Sequence, residues 1–164
     1  MNKIRKTVRL NAVPNDLSKP EQAVVIRLAL DILTERHLPG QALTNPADTI
    51  RYMHLKLAEY KNEVFCALFL DNRNRTLAFE ELFFGTINGA SVHPRVVVQR
   101  AMDTNAAAVI FAHNHPSGVA EPSHADRSLT THLKDALSLV EVRVLDHIVV
   151  GTEGTTSFAE MGLL

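Results

Sequence analysis

The residues best suited to metal chemistry fall in one stretch, His113-Asn114-His115-Pro116-Ser117-Gly118-Val119-Ala120-Glu121-Pro122-Ser123-His124-Ala125-Asp126. It follows the apolar run Ala106–Ala112, which reads as a short strand. Loops at the carboxyl ends of strands often carry sites in α/β architectures. In extended backbone, residues i and i+2 point to the same side. The imidazoles of His113 and His115 can therefore reach one cation, at about 2.0–2.1 Å if it is zinc. Asp126 stands at the predicted start of a helix, and the loop before it holds Pro116, Gly118 and Pro122. Such a loop can fold the chain back and bring the carboxylate to the same cation. Two histidines, one carboxylate and an open position form the layout of a catalytic zinc centre rather than a structural one. Water at the open position has its pKa lowered towards about 7. Asp126 also suits a helix start, and one of its oxygens can cap while the other ligates. Ser123 suits a cap or a turn as well.

The elements that must position these groups can be read along the chain. Residues 1–17 form an irregular lead-in. Ser18-Lys19-Pro20-Glu21 has the form of a capping box with Pro in the first turn. The helix it opens runs to about His37, with Ile26, Ala29, Leu30 and Leu33 on one face. Leu38-Pro39-Gly40 stops it. Asn45 can cap a second helix carrying Ile50, Met53, Leu57 and Tyr60 at three-to-four spacing. Glu63–Leu70 and Arg75–Phe84 read as a hairpin across the turn Asp71-Asn72-Arg73-Asn74, ended by Gly85, Asn88 and Gly89. Pro94 opens a helix with Val97, Val98, Ala101 and Met102. The loop His113–Ala125 leads to a helix over 126–140, with Leu129, Leu133, Ala136 and Leu137. Val142–Val150 is a strand, and a last short strand lies near Thr156-Ser157-Phe158. The fold class is α/β (α+β): a mixed sheet flanked by helices. Residues 18–61 form an N-terminal two-helix appendage, and residues 62–164 the main domain.

Composition narrows the function. The chain has 164 residues, 46% hydrophobic and 21% charged, which suits one globular domain. Lys and Arg total 17 against 18 Asp and Glu, a net charge of −1. That balance disfavours a broad nucleic-acid footprint. The one basic cluster, Lys3, Arg5, Lys6 and Arg9, reads as a solvated tail. The single cysteine, Cys66, precludes an internal disulfide and suits a reducing cytoplasm. It lies in an apolar run, as a buried inert thiol does. No apolar segment reaches the roughly 18 residues of a membrane span, and no signal-peptide core follows the basic start. Eight histidines stand out beside no tryptophan and two tyrosines.

The spacing His113, Asn114, His115, seven residues, Ser123, two residues, Asp126 resembles the zinc motif of the JAB/MPN (JAMM) metalloenzymes. Further segments narrow the resemblance to the RadC-like branch: EVFCALFLDNRN, Gly85-Thr86, Val92-His93-Pro94-Arg95, HNHPSG and LDHIVV. The resemblance covers roughly residues 20–160. It implies a mixed sheet of the kind shared by MPN domains and cytidine deaminases. Longer RadC proteins carry a helix-hairpin-helix segment associated with DNA binding. The helices before Glu63 show no such hairpin, so a DNA-repair role does not transfer with the family name.

The resemblance also implies roles. His113, His115 and Asp126 hold Zn2+. Glu63, at the edge of the first strand, is the general base and then acid; Glu80 and Glu81 compete for that role. Ser123 donates a hydrogen bond to the oxyanion on the scissile carbonyl. Asn114 points the other way, in a supporting or structural role. His147 reads as a satisfied core or edge histidine, with a partner supporting a metal ligand as the alternative; His93 reads as a turn residue, and His37, His54, His124 and His132 as solvated. The expected function is a zinc-dependent hydrolase of amide bonds, a peptidase or isopeptidase with a peptide or protein substrate. The alternative is a zinc-stabilised interaction module without turnover, linked to DNA processing or mobile elements.

Overall fold

The structure is a computed structural model that describes residues 13–43, 45–86 and 91–164. After a single 3-10 turn at Pro14–Asp16 come α1 (Lys19–Arg36), α2 (Pro46–Leu57), β1 (Val64–Leu70) and β2 (Thr76–Phe84). Then follow α3 (Pro94–Asp103), β3 (Ala108–Asn114), α4 (His124–Ser138), β4 (Arg143–Val150) and β5 (Thr155–Ser157). The strands form one sheet in the order β2-β1-β3-β4-β5. β3 and β4 are parallel and every other pair is antiparallel. This is the mixed α+β sheet with an N-terminal helical pair that the sequence predicts. Lys3–Arg9 and the turn residues Asn88 and Gly89 lie outside the described residues.

β1 is buried on both faces, which is why its sequence is a continuous apolar run rather than an alternating one. Val64, Cys66, Leu68 and Leu70 face α2, with Met53, Leu57, Ile110, Ala112 and Ile148 in the same cluster. Phe65, Ala67 and Phe69 face α3 and α4, with Val97, Ala101, Phe111, Leu133 and Leu137. Burial pushes the Cys66 thiol up, so it is an inert core residue. Leu57 is fully buried beneath the sheet, whereas Leu28 on α1 is 50% exposed. Leu57→Ala is expected to cost about 2–5 kcal/mol of unfolding free energy. Leu28→Ala should stay within about 0.5 kcal/mol. Urea denaturation of the two variants checks the contrast.

Four expectations are corrected by tertiary packing. α1 has the predicted capping box, with the Ser18 amide donating to the Glu21 carboxylate at 2.8 Å. Its apolar stripe, however, is buried only at Leu33, and Ile26 is 44% exposed. The helix rests mainly on α2, so no sheet lies beneath its first turns. Tyr60 lies beyond the end of α2; Thr49 and Tyr52 take the buried positions instead. Met102 is exposed on α3. His37 is buried rather than solvated. Its Nδ1 meets the Leu33 carbonyl at 2.6 Å, its Nε2 meets Thr49 Oγ1 at 3.3 Å, and its ring stacks on Tyr52 at 4.4 Å.

Burial pushes the His37 pKa below its ordinary value, partly opposed by the Leu33 carbonyl and the Asp48 charge. A base whose folded pKa is depressed stabilises the fold above its unfolded pKa, about 6.5, and loses that contribution as pH falls. Unfolding free energy is therefore expected to drop between pH 7.5 and pH 5. His37→Gln should flatten part of that slope, as denaturation measured across the range will show.

Candidate metal centre

β3 carries the first ligand candidate and extends further than the sequence suggests. The strand continues through His113 and Asn114, both buried, where the apolar pattern predicts a loop. His113 lies on the α3–α4 face beside Phe65. Asn114 takes the opposite side: its Oδ1 accepts from the Val64 amide at 2.8 Å. Its Nδ2 donates to the carbonyls of Tyr60 and Asn62 at 3.2 and 3.0 Å. One side chain thus ties the end of β3 to the chain entering β1. His115 follows just past the strand, its amide donating to the Val150 carbonyl at 2.8 Å. The His-x-His alternation brings both rings to one side, with their Nε2 atoms 2.9 Å apart.

The third group comes from α4. Ser123 is its N-cap and Asp126 its N3 residue, forming a capping box in which Asp replaces the usual Glu. Asp126 Oδ2 accepts from the Ser123 amide at 2.7 Å and from the Ser123 hydroxyl at 2.6 Å. Oδ1 faces His113 Nε2 at 3.3 Å, while Oδ2 also lies 3.4 Å from His115 Nε2. The carboxylate divides its work only in part: Oδ2 caps the helix and also faces His115, while Oδ1 is turned to His113 alone. The three candidate ligand atoms lie within 4.8 Å of one another.

Hydrogen-bond direction settles what these atoms offer. His115 Nδ1 meets the Val119 carbonyl at 2.8 Å, so it carries the proton and its Nε2 offers a lone pair. Thr130 Oγ1 lies 2.6 Å from the Asp126 carbonyl, which can only accept, so the hydroxyl proton is committed there. His147 Nδ1, 2.6 Å from the same Oγ1, must then be the donor. That leaves His147 Nε2 to accept from His113 Nδ1–H at 2.8 Å. His113 Nε2 is consequently a bare lone pair too. With both rings neutral, two imidazole lone pairs and a carboxylate oxygen converge with no donor among them. Only a cation, a proton or a metal, satisfies that arrangement, and the N,N,O donor set suits Zn2+.

The electrostatics agree. Burial acts to raise the Asp126 carboxyl, but hydrogen bonds from His113 and His115, once their Nε2 atoms carry protons, and from Ser123 hold it well below the usual carboxylate range. The hydrogen bond with Asp126 lifts His115 above its ordinary value against the opposing burial. The Val119 carbonyl and the charges of Asp126 and Glu63 add to that lift. Complete burial pushes His147 well below its ordinary value, so it is a neutral ring.

Glu63 stands at the entrance to β1, half-buried, its backbone paired with Thr86 and Gly85 at 3.1 and 2.8 Å. Its charge acts on His115, which places the carboxylate within electrostatic reach of the ligand candidates. The competing Glu80 and Glu81 are engaged elsewhere. Glu80 takes a two-point ion pair from Arg100 at 2.6 and 2.8 Å, and Glu81 accepts from the Tyr60 hydroxyl at 2.9 Å. Among the remaining histidines, His93 stands at the start of α3 without a side-chain capping bond and meets Phe83 edge-on. His124 and His132 are exposed, and His54 is half-buried.

Of the supporting groups, His147 combines the two readings its sequence allows: it is a fully buried, satisfied core histidine, and its partner is His113. Thr130 carried no signal at all. The one available hint was His147 itself, an imidazole inside a strand otherwise apolar from Ile148 to Val150. The loop that holds the Val119 carbonyl is fixed from across the sheet end. Gly151 touches it backbone to backbone, and a Cβ there would collide with the Gly118 carbonyl oxygen and lie 2.8 Å from the Ala120 nitrogen.

A family model of the RadC-like JAB domain matches residues 43–163, most of the chain and all of this centre. The chain belongs to the RadC-like JAB domain family. The match runs from just before α2 to the end of β5 and beyond. A UPF0758 protein of Vibrio cholerae is 56% identical over 140 residues, 85% of this chain and 88% of that protein. One of Thioalkalivibrio sulfidiphilus is 59% identical over 140 residues, 85% of this chain and 62% of the relative. One of Nitrosococcus oceani is 66% identical over 125 residues, 76% of this chain and 56% of the relative. The match of this RadC-like chain thus covers less than two thirds of the length of the latter two. The name these relatives share specifies no reaction. Among the described residues, no helix is long and apolar enough to cross a membrane.

Proposed function

We propose that the protein is a zinc-dependent metallohydrolase that cleaves amide bonds, a peptidase or isopeptidase acting on a peptide or protein. The observation that carries the reading is the convergence of three acceptors, His113 Nε2, His115 Nε2 and Asp126 Oδ1, around one point. A zinc ion held there supplies a Lewis acid and makes water acidic enough to attack near neutral pH. Glu63 takes a proton from the attacking water and returns it to the leaving amine. Ser123 gives a hydrogen bond to the oxygen of the scissile carbonyl. For that, its hydroxyl must turn away from Asp126 Oδ2, where it now donates. A reducing cytoplasm suits the single buried thiol. The net charge of −1 favours peptide over nucleic-acid substrates.

The test couples metal analysis to activity profiling on a peptide and isopeptide library. Wild-type protein is expected to hold zinc and to lose cleavage to a chelator, with recovery on adding zinc. Glu63→Gln should keep the metal while cleavage falls by about 10²–10⁴-fold, the usual contribution of general acid–base catalysis. Undiminished cleavage by that variant removes Glu63 from the reaction. Metal-dependent stability with no turnover selects the interaction module instead, and activity on nucleic acid alone overturns the peptidase reading.

A further inference from the structure

We propose that His147 and Thr130 are positioning residues that lock two of the zinc ligands into one rigid unit. The inference rests on the zinc reading above and concerns what turns the His113 lone pair towards the metal position. The chain of contacts closes on itself. His113 Nδ1 donates to His147 Nε2 at 2.8 Å, His147 Nδ1 donates to Thr130 Oγ1 at 2.6 Å, and Thr130 donates to the Asp126 carbonyl at 2.6 Å. Asp126 then meets His113 again through its side chain at 3.3 Å. The relay therefore joins a ligand on β3 to a ligand on α4 through a residue on β4 and a second turn of α4.

Both relay residues are enclosed. His147 is fully buried and Thr130 is 2% exposed, so water cannot replace either partner. Phe158 stacks on the His147 ring at 4.9 Å, while Phe65 and Phe111 stand edge-on to it. The ring has no room to swing. Its partners fix its tautomer, and its tautomer fixes that of His113.

The consequence is a one-way dependence. A neutral imidazole has one N–H and one lone pair. While Thr130 accepts from His147 Nδ1–H, the His113 lone pair is forced onto Nε2, towards Asp126 and His115. Without the Thr130 oxygen, His147 has no acceptor at Nδ1 and gains by moving its proton to Nε2. It then donates to His113 Nδ1, and the His113 proton moves to Nε2, the atom that must face the metal. A hydroxyl on α4 thereby sets whether a ring on β3 can ligate. Groups that orient a metal-bound histidine typically govern metal affinity by about 10–100-fold.

Thr130→Val keeps shape and removes the hydroxyl, while Thr130→Ser restores it. Zinc affinity is measured by competition with a chromophoric chelator on the full chain. Long-range 1H–15N correlation spectra of the metal-free protein report which ring nitrogens carry protons. Thr130→Val is expected to weaken zinc binding by about 10–100-fold, with Thr130→Ser within about threefold of wild type. Wild-type spectra should show Nδ1–H on both His113 and His147, and Thr130→Val should shift both to Nε2–H. Wild-type protein that binds zinc together with a Thr130→Val variant that binds it equally well overturns the relay alone. A wild-type Nε2–H tautomer at His147 does the same. Wild-type protein that takes up no zinc overturns the metal reading, and the relay's role falls with it.

Discussion

Asp126→Asn is expected to strip zinc from the protein while leaving the fold intact. The carboxylate has two duties, and the substitution separates them. The oxygen that takes the Ser123 amide at 2.7 Å is kept by an asparagine, so the start of α4 stays capped. The other position changes from oxygen to NH2 at the atom facing His113 Nε2 at 3.3 Å. A donor then meets the His113 lone pair and occupies the position a cation would share, while the retained oxygen still faces His115 Nε2. Zinc affinity should fall by more than the roughly 100-fold upper range of a supporting-residue substitution. Metal-free stability should change by no more than about 1 kcal/mol, the scale of a charge at a helix start. Equilibrium dialysis against zinc and denaturation of the metal-free variant measure the two effects separately. Retention of zinc at wild-type affinity would remove Asp126 from the ligand set. Asp126→Ala, by contrast, should lose metal and cap together.

The second large effect falls on stability and reaches the reaction indirectly. Asn114→Ala is expected to cost about 2–3 kcal/mol, most of it from the Val64 amide, which is left buried without an acceptor. The carbonyls of Tyr60 and Asn62 lose a donor too, but those residues are exposed and water can serve them. Asn114→Asp should do no better: a carboxylate satisfies Val64 but confronts two carbonyl oxygens. Both variants loosen residues 60–64, and Glu63 lies within that segment. Thermal unfolding checks the first effect. A fall in turnover with unchanged zinc content checks the second, and an Asn114→Ala protein as stable as wild type refutes the account.

Much of the centre was legible because its residues are close in sequence. His113 and His115 are two apart, and a strand makes that spacing a shared direction. Asp126 sits where a capping pattern announces a helix start, so its second oxygen could be assigned a separate duty in advance. What stayed hidden depends on distant partners. Asn114 is satisfied by residues 50 or more positions earlier and His113 by a ring 34 positions later. That is why β3 runs on through two polar residues where apolar patterning stops. His37 looks like a solvated helix end until Thr49 and Tyr52 close over it. α1 shows the opposite error: its apolar periodicity is present, but only its last turns find a surface to cover.

Gly151 shows how far the demands of the centre extend beyond the groups that perform chemistry. It has no side chain to offer, yet the backbone of residues 118–120 lies where its Cβ would be. Backbone cannot step aside as a rotamer can, so every other amino acid at 151 would displace the loop whose Val119 carbonyl holds His115. In a scan of all substitutions, position 151 belongs with the ligands in its intolerance. Genetic lesions there would mimic the loss of a histidine more than 30 residues away. The inheritance of this centre is therefore guarded at a position that contributes no atom to it.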